Sequence, residues 1–489
     1  MNIEYIRELS AKEKYNVTSP DYDILTSPLI VSSKIDFNSS SLILKKAIYE
    51  WKRIHPFLRC SIQKESDDKF SFVIANENKI ENSLMNIEFL YYENNDVNIN
   101  NHLIELLTER EILLKFNLEK DLLWRLKFFK LEQTNDGFKY LILYSVQHAI
   151  CEARYKYLGL IELFEIIEDI YNNKYVEKQC YNILPAVENR FQFRNDGKIN
   201  FNFPKVPSFV NAKDAKHQSI TDDYYYKNID SSHLDGFIKT TKNENYISIK
   251  ELIKSSIMNN SKFKFLKFDK SLIEPIIKKS KSKGVKMNGC INMILIIAHK
   301  LLYESYGVQI NQINYYNSIS FRQYLDKEEE KEAQKFSYLV SGLPKYYDFD
   351  IPDQCGFDYY MNNFWSMAKL ESDSFHERLN QKEHYISWVW NDFKYEPSNM
   401  WYEFFCANLG SLPSSANSDY AKSLIRVNEF YELMRIDESS KDSISTSVTC
   451  SLENNLLLVM MYNSFFISKK HIESLSNTVS KILDHLATA

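Results

Sequence analysis

The chain has 489 residues, 44% hydrophobic and 26% charged, with a net charge of −5. That length exceeds one ordinary core and predicts two domains, while the acidic balance excludes nucleic acid as the main partner, because phosphate binding needs a basic surface. No apolar run approaches the ~20 residues that span a bilayer. The N-terminus lacks the basic-then-apolar layout of a secretory signal, and seven scattered cysteines without a C-x-x-C pair predict reduced thiols in the cytoplasm and no structural zinc.

Leu44, Ala47, Ile48, Trp51 and Ile54 recur at helical spacing, so 40–54 reads as an amphipathic helix. It stops at His55-Pro56, because proline disfavours helix in the residue before it, and Phe57 to Ile62 reads as a strand. Leu103, Leu106, Leu107 and Ile112 mark a helix over 101–115. Leu122 to Leu131 and Lys139 to Val146 read as strands joined by a turn at Thr134-Asn135-Asp136-Gly137. Tyr157, Leu160, Phe164, Ile167 and Tyr171 keep a three-to-four residue period, a helix lying on a sheet. From 172 to 262 the pattern breaks, apart from one helix near 246–258, and this span reads as a connection between two halves. The second half opens on a strand at 263–268 and a helix through Ile273, Ile276 and Ile277. Ile291, Ile294, Ile297, Ala298 and Leu301 form a strongly apolar helix. Ile313 to Phe321 is a strand, and Ser443–Leu452 and Leu456–Phe466 are two strands of a hairpin. A final helix carries Ile472, Leu475, Val479, Ile482 and Leu486. Both halves mix helices with strands, without a sequence repeat, as 1–171 and 263–489 around the 172–262 connection.

The segment with chemical content is Val146-Gln147-His148-Ala149-Ile150-Cys151-Glu152-Ala153. A histidine at the exit of a buried strand, neutral near pH 7, accepts a proton from a hydroxyl, amine or thiol. This segment resembles the His-His-x-x-x-Asp-Gly motif of acyltransferases built on the chloramphenicol acetyltransferase fold. That superfamily includes condensation domains of nonribosomal peptide synthetases, mycobacterial polyketide-associated acyltransferases and alcohol acetyltransferases. Further segments resemble the superfamily in the same order. They are Ile6-Arg7-Glu8-Leu9-Ser10, Arg53-Ile54-His55-Pro56-Phe57-Leu58-Arg59, Phe116-Asn117-Leu118 with Leu123-Trp124-Arg125, Gly284-Val285-Lys286-Met287-Asn288, Ser320-Phe321-Arg322 and Ala407-Asn408-Leu409-Gly410. The "Asp-Phe-Gly-Trp-Gly" signature of the plant members is not found. The match to the motif is incomplete: Gln147 stands for the first histidine, Glu152 for the aspartate and Ala153 for the glycine, which restrains the backbone if unusual torsion angles are needed there.

The resemblance implies an α+β fold of two chloramphenicol acetyltransferase-like halves, a pseudo-dimer around a central tunnel. It implies transfer of an acyl group from a thioester, on coenzyme A or a carrier protein, to a hydroxyl or amine acceptor, by a monomer with no bound cofactor or metal. His148 is the catalytic base that it implies. Glu152 and Arg322 are implied as a structural ion pair across the halves, and Gln147, Asn408 and Gly410 as tunnel residues. Two other readings stay open: an inactive condensation-like module that binds or recruits, and an amide-forming stand-alone condensation enzyme. A blocked His148 favours the first of these.

Blander roles fit the remaining candidates. Cys151 reads as a small packing residue, since no cation stands by to stabilise a thiolate. His299 lies in an apolar helix and reads as a core histidine, His55 as a cap or packing residue, and Trp365 and Trp401 as core. Asn94 to Asn101 reads as a solvated loop, and Lys278-Lys279-Ser280-Lys281 as a solvated helix end. No histidine pair at i, i+4 and no phosphate-binding glycine loop occurs.

Overall fold

The computed structural model describes residues 3–18, 24–66, 69–75, 86–92, 101–186, 237–240, 246–257, 259–324, 335–349, 355–385, 402–416, 423–436, 443–464 and 467–488. From the N-terminus run β1 (Ile3–Glu8), α1 (Ala11–Thr18), β2 (Ile24–Ser33), α2 (Ser41–Ile54), β3 (Cys60–Lys64), β4 (Phe70–Ala75), β5 (Ile87–Tyr92), α3 (Asn101–Leu113), β6 (Trp124–Thr134), β7 (Gly137–Gln147) and α4 (Ala153–Tyr171). β8 (Phe237–Thr240), β9 (Tyr246–Ser248) and α5 (Ile249–Ile257) follow. The second half holds β10 (Ser261–Phe268), α6 (Lys270–Ser282), α7 (Met287–Ser305), β11 (Gln312–Ser320), β12 (Val340–Asp348) and α8 (Gly356–Asn380). It continues with β13 (Tyr402–Leu412), β14 (Ile425–Phe430), β15 (Leu433–Met434), β16 (Ser443–Leu452), β17 (Asn455–Asn463) and α9 (Lys469–Thr488).

β7 is the spine of the first half, and helices cover both of its faces. Tyr140, Ile142 and Tyr144 belong to the core shared with α2 and α4. Leu141 and Leu143 pack with Leu103 and Leu106 of α3 and Leu252 of α5. A strand covered on both faces reads as a continuous apolar run, which is why Tyr140 to Val146 shows no alternation. The first-half sheet is ordered β14-β2-β7-β6-β5-β8-β9, with β15 also paired to β2, and β1-β4-β3 form a separate small sheet. The second-half sheet is ordered β10-β17-β16-β13-β11-β12. One face of it meets α6, α7, α8 and α9 through Tyr315, Phe404 and Met460. The other face looks at the first half, where Val448, Val459 and Met461 join the first-half core.

Two features depart from a simple division at 171 and 263. β8, β9 and α5 fall within the span read as a connection, yet β8 and β9 extend the first sheet, with Leu90 paired to Thr240, and α5 packs on it through Leu252. Residues 187–236 of that span lie outside the described ones. β14 and β15 come from the second half and cross to β2, pairing Val427 with Val31 and Leu433 with Thr26. Without them β2 would present an unpaired edge of backbone donors and acceptors. Locally, Pro56–Arg59 is a single 3-10 turn and not the start of a strand, which begins at Cys60. Proline sets the turn torsion, and Leu58 N–H closes it on the His55 carbonyl at 3.0 Å. Trp401 and most of the Asn94–Asn101 stretch lie outside the described residues. Trp365 packs at the margin of the second-half core. No single described helix is long and apolar enough to cross a membrane; α6 and α7 pass that test only as a pair bent by 111°.

The halves also interlock through Phe336, a second-half residue fully buried in the first-half core. Its ring meets Trp51 and His55 edge-on, at 5.4 and 5.1 Å. Gly159 of α4 leaves the room: a Cβ there would sit 2.7 Å from the Phe336 ring. Gly159→Ala gains up to ~1 kcal/mol of helix propensity but overpacks a closed core, which typically costs ~1–3 kcal/mol. The expected net result is a melting temperature below wild type; an unchanged or raised one would show that the ring gives way freely.

Candidate active site

β7 ends at Gln147, and the chain makes one 3-10 turn, His148–Ile150, before Glu152 opens α4. Gln147 holds this turn. Its Oε1 accepts from Ala149 N–H at 2.5 Å, and its Nε2 donates to the Asn16 carbonyl of α1 at 3.1 Å. Its side chain is 1% exposed. An amide carries both donors and an acceptor, and here the oxygen and one N–H are engaged in fastening the turn.

His148 is half-buried, and its Nδ1 lies 2.8 Å from the Cys151 carbonyl oxygen. A carbonyl only accepts, so Nδ1 carries the proton and Nε2 keeps its lone pair. The ring meets Tyr338 edge-on, with centroids 5.2 Å apart. Tyr338 belongs to the second half, so the histidine stands where the halves meet. Burial pulls the imidazole down to about 4, against the Cys151 carbonyl, which favours the charged form. The ring is neutral at pH 7.

Glu152 lies across the junction from Arg322. Arg322 Nε donates to Glu152 Oε1 at 2.8 Å, and Ser320 Oγ donates to the same oxygen at 2.9 Å. Both charged side chains are at most 5% exposed. Arg322 Nη2 also donates to the carbonyls of Lys335 and Ser337 and to Ser337 Oγ, and the guanidinium lies over the Tyr155 ring at 3.9 Å. The glutamate reaches across despite its extra methylene, but its Oε2 is buried without a hydrogen-bond partner. Burial raises the Glu152 carboxyl above its ordinary value, and the Arg322 charge opposes that rise. Ala153 is the first residue of α4 and is not among the positive-φ residues, so glycine's freedom is not needed there.

Cys151 is inert. Its Sγ donates to the Glu152 and Lys335 carbonyls at 3.4 Å each, and burial pushes the thiol far above its ordinary range. His299 bonds the Leu295 carbonyl at 2.8 Å and stacks on Phe404, as a core histidine does. His55 is also buried, with Nε2 2.8 Å from Glu162 Oε2. Asn408 Oδ1 accepts from Gly410 N–H at 2.9 Å, and Asn408 Nδ2 donates to Asn288 Oδ1 of α7 at 3.4 Å. Gly410 has φ +69°, and the register against β16 shifts between Asn408 and Ser411. This pair is a bulged turn of β13, with no hydrogen bond or ring contact to His148. The link is indirect: Arg154 of α4 donates to the Leu409 and Ser411 carbonyls.

The structure thus gathers His148, Glu152, Ser320, Arg322 and Tyr338. Tyr338, Lys335 and Arg154 were missed in the sequence. Arg154 and Lys335 act on backbone carbonyls or through one, and no residue-type pattern marks such a partner. Among the described residues no group of three or more His, Cys, Asp or Glu side chains is placed to hold a metal ion.

No protein-family model matches the sequence, and no curated protein matches it. Solved structures do. Polyketide synthase associated protein 5 from Mycobacterium tuberculosis is similar at 11% identity and a TM-score of 0.60, over 99% of each chain. The trichothecene 15-O-acetyltransferase TRI3 from Fusarium sporotrichioides is similar at 9% and 0.61, over 99% of this chain and 95% of that one. The first condensation domain of the calcium-dependent antibiotic synthetase is similar at 9% and 0.62, over 99% and 97%. The chain has the two-lobed, chloramphenicol acetyltransferase-like fold of these proteins.

Proposed function

We propose that this chain is an acyltransferase whose general base is His148. The observation that carries the reading is the state of that ring. Nδ1–H is tied to the Cys151 carbonyl, Nε2 is left as an acceptor, and the ring stands at the junction of the halves beside Tyr338. Fold alone does not assign a reaction; this geometry adds a base that is oriented and neutral. Nε2 takes the proton of the acceptor hydroxyl or amine as its oxygen or nitrogen attacks the thioester carbonyl carbon. The tetrahedral oxyanion collapses, the C–S bond breaks, and the imidazolium returns the proton to the thiolate. Glu152 and Arg322 position the loop without touching substrate. The acyl group arrives on coenzyme A or on a carrier protein, and no metal takes part in these steps.

The test is incubation with a panel of acyl-coenzyme A and acyl-carrier thioesters and small alcohols and amines, following free thiol. Acceptor-dependent thiol release is expected. Its absence across the panel, with tight capture of a carrier protein instead, would favour a recruiting module.

The pH profile is a second check. With the base protonating at about 4, kcat/KM should be level from about pH 5 to 8 and fall tenfold per unit below about 4. A fall beginning near the ordinary histidine value of ~6.5 would mean that the ring is not desolvated as described. Stability should follow the same group. Between about 6.5 and 4 the unfolded chain binds a proton that the folded one refuses, so stability drops as pH falls through that window.

A further inference from the structure

The second-half sheet presents an uncharged face beside the histidine. On β11, Ser320 reaches Glu152 of the first half, whereas Tyr315 faces the helices. Alternation therefore turns Ser318 and Tyr316 toward the first half with Ser320. Register places Gly342 and Pro344 of β12, and Ala407 and Phe405 of β13, beside them on the same face. Ser318 is exposed, and Tyr316, Phe405, Ala407 and Pro344 are half-buried, so this part of the face is not closed by packing.

Tyr316 lies flat across that face. A Cβ on Gly342 would fall 1.8 Å from the Tyr316 hydroxyl, so only glycine admits the ring there. Phe405 backs it at 5.1 Å. The Tyr316 hydroxyl makes no hydrogen bond with a described residue. Burial pushes this phenol upward, and the neighbouring Tyr15 phenol of α1 adds to the shift, so both halves approach this ring. Gly342 follows Tyr338, the His148 neighbour, by four residues, so its Cα lies no more than about 14 Å from that of Tyr338, and the end of the Tyr316 ring sits directly over Gly342.

We infer that Tyr316, laid over Gly342 and backed by Phe405, is a specificity plate, and that the acceptor carries an uncharged planar ring that stacks on it while its nucleophile meets His148. The inference rests on the acyl-transfer reading. An uncharged ring is the occupant because none of the seven face residues named bears a charge, and two of the four half-buried apolar ones, Tyr316 and Phe405, are aromatic.

The experiment compares phenylhexanol with hexanol as acceptors, in wild type, Tyr316→Ala, Tyr316→Phe and Gly342→Ala, with free thiol as the readout. The ratio of kcat/KM for phenylhexanol over hexanol should fall about three- to tenfold in Tyr316→Ala, the span of one aromatic pair. It should change less than twofold in Tyr316→Phe, which keeps the ring. Gly342→Ala, which displaces the ring, should match Tyr316→Ala. An unchanged ratio in Tyr316→Ala overturns the plate and leaves acyl transfer standing. Binding of naphthylhexanol, followed by its fluorescence in the His148→Ala background with and without Tyr316→Ala, separates the other case. Tyr316-dependent binding without thiol release from any acceptor overturns acyl transfer and keeps the plate; Tyr316-independent binding, or none, overturns the plate.

Discussion

His148→Ala is expected to lower acceptor-dependent thiol release by about 10²–10⁴-fold, the usual range for a lost general base. The fold should survive. The ring contributes one neutral hydrogen bond to the Cys151 carbonyl, worth ~0.5–1.5 kcal/mol net, and an edge-on contact with Tyr338. It is half-buried and carries no charge at pH 7, so removing it leaves no uncompensated ion. The loss should appear in kcat more than in KM, because proton removal belongs to the transition state and not to binding. Thiol release should be measured in a variant shown to be folded by its melting temperature. Near-normal turnover in that variant refutes the mechanism.

Arg322→Ala is expected to act on stability and activity together. Glu152 would keep only Ser320 as a hydrogen-bond donor and would remain a buried carboxylate without its ion-pair partner. Removing one partner of a buried pair typically costs ~3–5 kcal/mol. The lost bonds to Lys335 and Ser337 and the contact over Tyr155 add to the damage. Arg322→Lys should recover little, because an ammonium cannot reproduce a guanidinium that bonds several groups and stacks on a ring. The check is denaturant unfolding of Arg322→Ala, Glu152→Ala and the double variant. The double variant should be less damaged than the sum of the singles, since residues in one network are not additive. Full additivity would show that the pair does not act as a unit, and that Glu152 has a different role from the motif aspartate it replaces. Activity should fall as well, because Glu152 directly precedes α4 and fixes the exit of the histidine turn. His148→Ala and Arg322→Ala are thus separable: the first removes turnover from a stable protein, the second loosens the protein that holds the turn.

Much of the local structure was legible because it depends on near neighbours. The period of Leu44, Ala47, Ile48 and Trp51 marks α2, and the same argument finds α4, α7 and α9. α8 was overlooked, although Tyr360, Met361, Phe364, Met367, Ala368 and Phe375 keep helical spacing. Its many polar and aromatic residues diluted the apolar stripe. β14 and β15 carried too little pattern to be noticed, since short strands gain their meaning only from β2, which lies far away in sequence. The hydrogen bonds of Gln147 could not be read from the sequence. A polar side chain beside a catalytic histidine reads equally as a substrate contact or as a turn fastener, and only the position of Ala149 N–H and the Asn16 carbonyl decides between them.

The sequence by itself determined the alternation of helices and strands, the buried spine that leads to His148, and the residue types that resemble an acyl-transfer motif. Those follow from periodicity and from chemistry carried by adjacent residues. Only the tertiary structure decided that Arg322, 170 residues beyond Glu152, comes within hydrogen-bond distance of it, and that Phe336 and Tyr338 of one half close on the core and the histidine of the other. It also decided which nitrogen of His148 carries the proton, because that depends on where the Cys151 carbonyl points. The physical reason is common to the contacts of Arg322, Phe336 and Tyr338. A contact between distant residues is set by how whole sheets and helices pack, and nothing in the local spacing of either partner encodes the distance between them.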